Sequence, residues 1–238
     1  TNMFHLANPG KFQKITESLY PFINILAFTI FLIGMYFSFF ASPPDYLQGQ
    51  TVRIMYIHVP SAWLSLSIYS VMAICSCISI VWKHTLSDIV ARSAAPIGAT
   101  FTLVTLITGS IWGKPTWGTW WVWDARLTSE LILFFIYCGH ILISNSFDDY
   151  RKGDKAASIL TLVGIINLPI IKWSVDWWNT LHQPASISKL GSPNIDPQML
   201  VPLSFMTIAF FLFFISILII RVRGEIYIRK IEVIKLNN

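Results

Sequence analysis

The stretch Gly109-Ser110-Ile111-Trp112-Gly113-Lys114-Pro115-Thr116-Trp117-Gly118-Thr119-Trp120-Trp121-Val122-Trp123-Asp124-Ala125-Arg126 decides how the chain is read. Five of the ten tryptophans fall between Trp112 and Trp123, mixed with glycines and a proline and closed by an Asp/Arg pair. An indole needs apolar contact for its ring and a partner for its N–H, so a cluster this dense implies a surface that holds something flat. On either side lies an apolar run of about 20 residues, the length that crosses a bilayer.

Working outward, the composition agrees. Apolar residues are 54% of the 238, charged residues only 12%, and the mean hydropathy is +0.60. A soluble domain carries about 25% charged residues. The apolar runs predict six spans, at about 20–40, 60–82, 93–112, 128–147, 156–173 and 200–220, with a tryptophan loop over 112–128. The fold class is therefore an all-α integral membrane protein, a bundle of six transmembrane helices in one polytopic domain over 1–238. Pro60 suits the first turn of the second span, and Pro169 predicts a kink near the end of the fifth. The third span, rich in Ala, Gly and Thr, favours close helix packing. The first run is too long for a signal-peptide core and reads as a retained span; with Thr1 in place of Met, a trimmed or unusual start is expected.

Six spans put both termini on one side. The terminal segments and even-numbered loops hold 12 of the 17 Lys and Arg residues, and the odd-numbered loops with their edges hold 5. The positive-inside rule then predicts cytoplasmic termini and an outer tryptophan loop. The same asymmetry accounts for the net charge of +5 without a nucleic-acid partner; membrane lipid is the expected surrounding.

Two of the five histidines, His58 and His182, fall in outer loops near helix ends, in His58-Val59-Pro60 and His182-Gln183-Pro184. On the same face as an aromatic shelf, two neutral imidazoles suit the axial positions of a porphyrin iron. Zinc fits less well, since there is no H-E-x-x-H and no third ligand at recognisable spacing. Arg53 and Arg126 also face outward, and a guanidinium suits a carboxylate such as a haem propionate. For Arg126 a local pair with Asp124 or Glu130 is the equal alternative. Asp124 is expected to cap the fourth helix, or to orient an indole N–H or Arg126. His5 and His84 fall on the inner side, and His140, inside the fourth span, suits packing or hydrogen bonding. For the tryptophans themselves, an interfacial aromatic belt stays open.

Cys75, Cys77 and Cys138 lie inside apolar runs and form neither C-x-x-C nor a haem-attachment motif. There is no phosphate-binding G-x-x-x-x-G-K-[ST], no nucleophile elbow, and almost no carboxylate in the middle of a span. No catalytic residue is expected.

The run Trp117-Gly118-Thr119-Trp120-Trp121-Val122-Trp123-Asp124-Ala125-Arg126-Leu127-Thr128, continuing Ser129-Glu130, resembles the tryptophan-rich WWD motif of haem-handling proteins. With the length, six spans and flanking histidines, nearly the whole chain resembles the CcmC family of bacterial cytochrome c maturation. Longer relatives, the synthase CcsA and the haem lyase subunit CcmF, share the motif, but the lyase subunit continues with Asp-Pro-Val-Glu-Asn and this chain does not.

The resemblance implies haem b, bound transiently and non-covalently at the periplasmic face, with His58 and His182 on the iron. Trp112, Trp117, Gly118, Trp120, Trp121, Trp123, Asp124 and Arg126 would contact the porphyrin. It implies delivery to the haem chaperone CcmE, with the ABC transporter CcmA/CcmB and the small protein CcmD as partners. The expected location is the bacterial inner membrane, with the mitochondrial inner membrane second. The expectation is haem delivery rather than enzymatic catalysis; a haem transporter, a synthase-type lyase component and a purely structural subunit are the alternatives.

Overall fold

The computed structural model describes residues 8–178, 180, 182 and 195–236. Among the described residues seven helices follow in order: α1 Pro9–Tyr36, α2 Met55–Trp82, α3 Thr85–Trp117, α4 Ala125–Asn145, α5 Tyr150–Gly164, α6 Asn167–Trp177 and α7 Pro197–Leu236. A π-helical turn, Phe37–Ala41, ends α1, and a 3-10 turn, Gln50–Ile54, leads into α2. No strand occurs among the described residues, and six helical segments are long and apolar enough to cross a membrane, α5 and α6 together forming one. The protein is an all-α membrane bundle.

The helix ends follow from local chemistry. Asn8 caps α1, its side-chain oxygen accepting from the Gly10 N–H at 2.8 Å, and Pro9 opens the helix where a missing N–H costs nothing. Pro60, expected in a first turn, is instead the sixth residue of α2, because the 3-10 turn hands over to the α-helix at Met55. His58 therefore lies within the first turns of α2. Pro169 acts through the carbonyl four residues earlier, which it cannot satisfy and whose space its ring invades. The chain accordingly breaks at Ile165–Ile166 between α5 and α6, and the Asn167 amide pins the break to α4 by donating to the Ser129 carbonyl at 2.8 Å.

The tryptophan stretch expected as a loop over 112–128 is shorter. α3 continues through Lys114 and Pro115 to Trp117, and Gly118 stops it by adopting φ +79, with its N–H returned to the Lys114 carbonyl at 3.0 Å. Only glycine takes that left-handed position without strain. The true loop is residues 118–124, ended by Asp124 as the cap of α4.

The core lies where α2, α3 and α4 meet, around Leu64, Ile68, Tyr69, Met72, Leu133 and Tyr137. α3 presents Ala94, Ala95 and Gly98 to it, and these small residues let the backbones close up. At Gly98 the Tyr137 ring occupies the space a side chain would need. Tyr69 and Tyr137 meet edge to face at 5.4 Å, and each hydroxyl donates to a backbone carbonyl, of Thr161 at 2.8 Å and of Ser65 at 2.7 Å. Inside a bilayer such pairing is obligatory, since no water is there to substitute. α1 packs mainly against α7, with Gly34 against Met206, and turns Phe22, Ile25 and Phe28 outward to lipid.

The start of α1 and the far part of α7 share one face, joined by Lys230 Nζ to Gln13 Oε1 at 3.0 Å. We call it the basic face, and the opposite one the tryptophan face. On the basic face Arg92 of α3 binds Asp154 of α5 at 3.0 Å and the Ser144 carbonyl at the end of α4, while Arg229 of α7 binds Asp154 at 2.7 Å and Glu225 at 2.9 Å.

Gly98→Ala is expected to lower the melting temperature in detergent, because forcing Tyr137 aside costs about 1–3 kcal/mol. Gly224→Ala, whose new methyl group would meet nothing within 4 Å, is the control and does not lower it, since alanine is the better helix former.

A candidate haem site on the tryptophan face

Asp124 organises this end of the bundle. Its Oδ1 accepts from the Leu127 N–H at 2.8 Å and so caps α4. Its Oδ2 faces His182 Nδ1 at 2.8 Å and also accepts from the Thr180 hydroxyl. The second oxygen thus orients a histidine, not an indole or Arg126. Burial of the aspartate works against ionisation, but the bonds from Thr180, Leu127 and His182 outweigh it and hold the carboxyl below its ordinary value. For His182, burial lowers the pKa from 6.5 and wins over the pull of Asp124, so the ring is neutral near pH 7. A carboxylate can only accept, so His182 carries its proton on Nδ1 and leaves Nε2 with a free lone pair.

His58 reaches the same state through a different partner. Its Nδ1 is 3.0 Å from Thr108 Oγ1, whose own proton goes to the Val104 carbonyl at 2.6 Å. The hydroxyl therefore accepts, the imidazole donates from Nδ1, and Nε2 is again the open nitrogen. The ring lies against α3 at Gly109, where an added Cβ would come within 3.1 Å of Cε1. Two histidines from distant parts of the chain thus arrive in the same tautomer, near enough to feel each other's charge and that of Arg126.

The tryptophans divide into two groups. Trp112 stands edge-on to His58 at 5.6 Å, its Nε1–H donated to Gln48 Oε1 at 2.7 Å. Trp117 stands edge-on to His182 at 4.7 Å, and Gly113 leaves the room its ring needs. Trp121 and Trp123, 5.4 Å apart, turn the other way and wall a shallow apolar cavity of about 490 Å3 with Leu106, Ile107, Ser110, Ile111 and Leu131. Trp120 is exposed beside Lys114, whose Nζ donates to the Gly118 carbonyl at 3.0 Å. Gly118 ends α3.

The two arginines are placed differently. Arg53, on the 3-10 turn before α2, reaches the Ser42 carbonyl from Nη2 at 3.4 Å, and its buried Nε has no partner among the described residues. Trp121 Nε1 is likewise buried and unpartnered. Arg126 makes neither expected pair. Glu130 is taken instead by Ser65 Oγ at 2.8 Å, and the guanidinium lies in the field of Glu130, Asp124 and Asp176 without an ion pair among the described residues. A buried donor left open is costly unless a ligand completes it. Arg53 Nε and Trp121 Nε1 are two such buried donors among the described residues.

The family described as CcmC, heme exporter protein C, matches residues 2–237. The chain belongs to the CcmC family. It is 50% identical to the heme exporter protein C of Bradyrhizobium diazoefficiens over 97% of this chain and 87% of that one. With the Escherichia coli K12 protein of the same name it shares 43% identity over 96% and 92%. A ccmC-like mitochondrial protein of cytochrome c biosynthesis from Marchantia polymorpha is 51% identical over 79% of this chain and 80% of its own.

Sequence reading missed Thr108, Gly109, Gln48 and Thr180, which hold the histidines and Trp112 in place. Gly109 opened the quoted stretch, and only the fold shows its contact with His58. His5 and Pro184 lie outside the described residues. His84 caps α3 and His140 is 2.8 Å from Thr161 Oγ1, both on structural duty.

Asp124→Ala removes a cap and a charge-assisted bond together, and a loss of about 2 kcal/mol in a denaturant titration is expected. The pH dependence has a fixed sign. The native state favours neutral His182, so that contribution is complete above about pH 6.5 and is lost as pH falls below it. The Asp124 contribution is complete above the ordinary carboxylate pKa of about 3.9 and disappears only under more acidic conditions.

Proposed function

We propose that the protein holds haem at the periplasmic face of the bacterial inner membrane and passes it to the chaperone CcmE during cytochrome c maturation. The observation that carries this reading is the pair of histidines, His58 and His182, each fixed with Nδ1 protonated and Nε2 open on the face that carries the tryptophans. A histidine whose far nitrogen is anchored by an acceptor is a preoriented and more basic metal ligand. In this reading both Nε2 atoms bind the iron of haem b, so the axial positions are filled while the cargo is in transit.

Trp112 and Trp117 stand beside the two ligands and would border the porphyrin; Trp121 and Trp123 offer an apolar wall to its outer edge. Arg53 and Arg126 supply the cations for two propionates, and the open Nε of Arg53 favours that role. Holding the ring through aromatic contact and two reversible axial bonds keeps transfer possible. Retention of lysine and arginine toward the termini favours the periplasmic orientation. The names of the relatives, heme exporter protein C, support a place in the haem-export system, with CcmA/CcmB and CcmD as partners beside CcmE.

The test is a visible spectrum of protein purified from haem-replete cells. A low-spin bis-histidine spectrum is expected, with haem lost from the double variant His58→Ala/His182→Ala; full retention there would overturn the axial assignment. Haem is expected to stay bound near pH 7 and to dissociate in more acidic solution, because protons compete for Nε2. Trp117→Ala should reduce loading of CcmE in cells, read as covalent haem on the chaperone.

A further inference from the structure

A second cavity, of about 310 Å3, opens on the basic face between α3, α4 and α7. It lies at the depth where the apolar run of α7 ends at Ile220 and Arg221 begins the charged segment. On that face this is the level of the phosphate layer of a bilayer. We propose that the cavity binds the phosphate of an anionic phospholipid, with Arg221 as the principal cation.

Charge bookkeeping within the neighbouring cluster singles out Arg221. Glu225 accepts from Arg229 Nε at 2.9 Å and faces Arg92 Nε at 3.4 Å. Asp154 is held by Arg92 and Arg229. The remaining N–H groups of Arg92 go to the Ser144 carbonyl and to Asn145 Oδ1 at 2.8 Å. These two carboxylates are thereby held by two guanidinium groups, with Asp88 of α3 adding a third negative charge near Arg229 and Asp154, and Arg92 has no donor left. Arg221 is the arginine lining the cavity that forms no ion pair among the described residues. Its Nε donates to the Ser93 carbonyl at 3.1 Å, which anchors the group at the cavity wall, and its two terminal amino groups have no partner among the described residues.

The rest of the cavity suits an amphiphile better than a free anion. Arg221, Arg92, Ser93, Ser144, Asn145 and the arginine-paired Glu225 form the polar part, while Pro96 and Ile141 belong to the spanning parts of α3 and α4 and continue it with apolar surface. Gly224, one turn from Arg221, leaves the opening wide, since a Cβ there would meet nothing within 4 Å. A planar fork recognises phosphate by two parallel hydrogen bonds, and basic pockets between helices at this level take lipid headgroups.

The experiment is native mass spectrometry of the full-length protein in neutral detergent, titrated with phosphatidylglycerol and, separately, with phosphatidylcholine. One phosphatidylglycerol is expected to bind in preference to phosphatidylcholine. Arg221→Gln should weaken that binding about fivefold, the value of one interfacial cation. Gly224→Leu, which fills the opening without changing any charge, should abolish it; leucine is a better helix former than glycine. Thermal melts check that both variants stay folded, and Arg221→Gln alone suffices if the other does not. Unchanged binding in Arg221→Gln, or equal binding of the two lipids, would overturn the proposal. Displacement by millimolar inorganic phosphate would show a site for a free anion, and displacement by haem a site for porphyrin carboxylates; either outcome also overturns it. The haem spectrum of the tryptophan face should be the same in both variants, which separates this result from the reading of the other site.

Discussion

One carboxylate, that of Asp124, holds the tryptophan face together. With one oxygen it starts α4, and with the other it fixes the ring and tautomer of His182. Helix geometry and ligand geometry are therefore the same fact. The residue is short, so its two oxygens can serve two elements only where the backbone of 118–124 brings them within reach. Gly118 makes that possible by ending α3 in a left-handed turn. A side chain there would extend or strain the turn and move Asp124 away from both partners.

The opposite side of the bundle works by the same economy of polar groups. Tyr69, Tyr137, Glu130 and His140 are buried at membrane depth, and each has a partner within 2.8 Å. On the basic face, four charged side chains from α3, α5 and α7 close on the end of α4. Gly153 lets this happen, because any Cβ would run into the Ser144 carbonyl at 2.6 Å. Charges buried in a bundle cost several kcal/mol each unless paired, so the cluster restricts how the helices can slide. Toward the tryptophan face, Arg53 Nε and Trp121 Nε1 are buried without a partner among the described residues.

Much of the architecture was legible in the sequence because a bilayer tests length and polarity directly. Six apolar runs of span length could only be helices, and the family of the chain was carried by the tryptophan motif and its Asp-Ala-Arg continuation. The positions of caps and breaks were partly legible: Asp124 before an apolar run reads as a cap, and Pro169 reads as an interruption. The end of α3 was not, since Lys114-Pro115 looks like a loop, yet a proline near a helix end sacrifices little once Gly118 supplies the stop. The pairing of Arg126 with Asp124 or Glu130 also failed, because each acid had a closer partner on another element, Thr180 and His182 for one and Ser65 for the other.

What the sequence by itself determined is the bundle and the residue types available in its aromatic stretch. Only the tertiary structure decided which of them meet. His58 and His182 are separated by more than a hundred residues, and the tautomer of each depends on an acceptor supplied by yet another segment, Thr108 for one and Asp124 for the other. The division of the tryptophans, with Trp112 and Trp117 beside the histidines and Trp121 and Trp123 on the apolar cavity, follows from the handedness of a single glycine turn. Spacing along a chain encodes periodicity and length; contacts across helices depend on how small side chains let those helices approach, which no local pattern records.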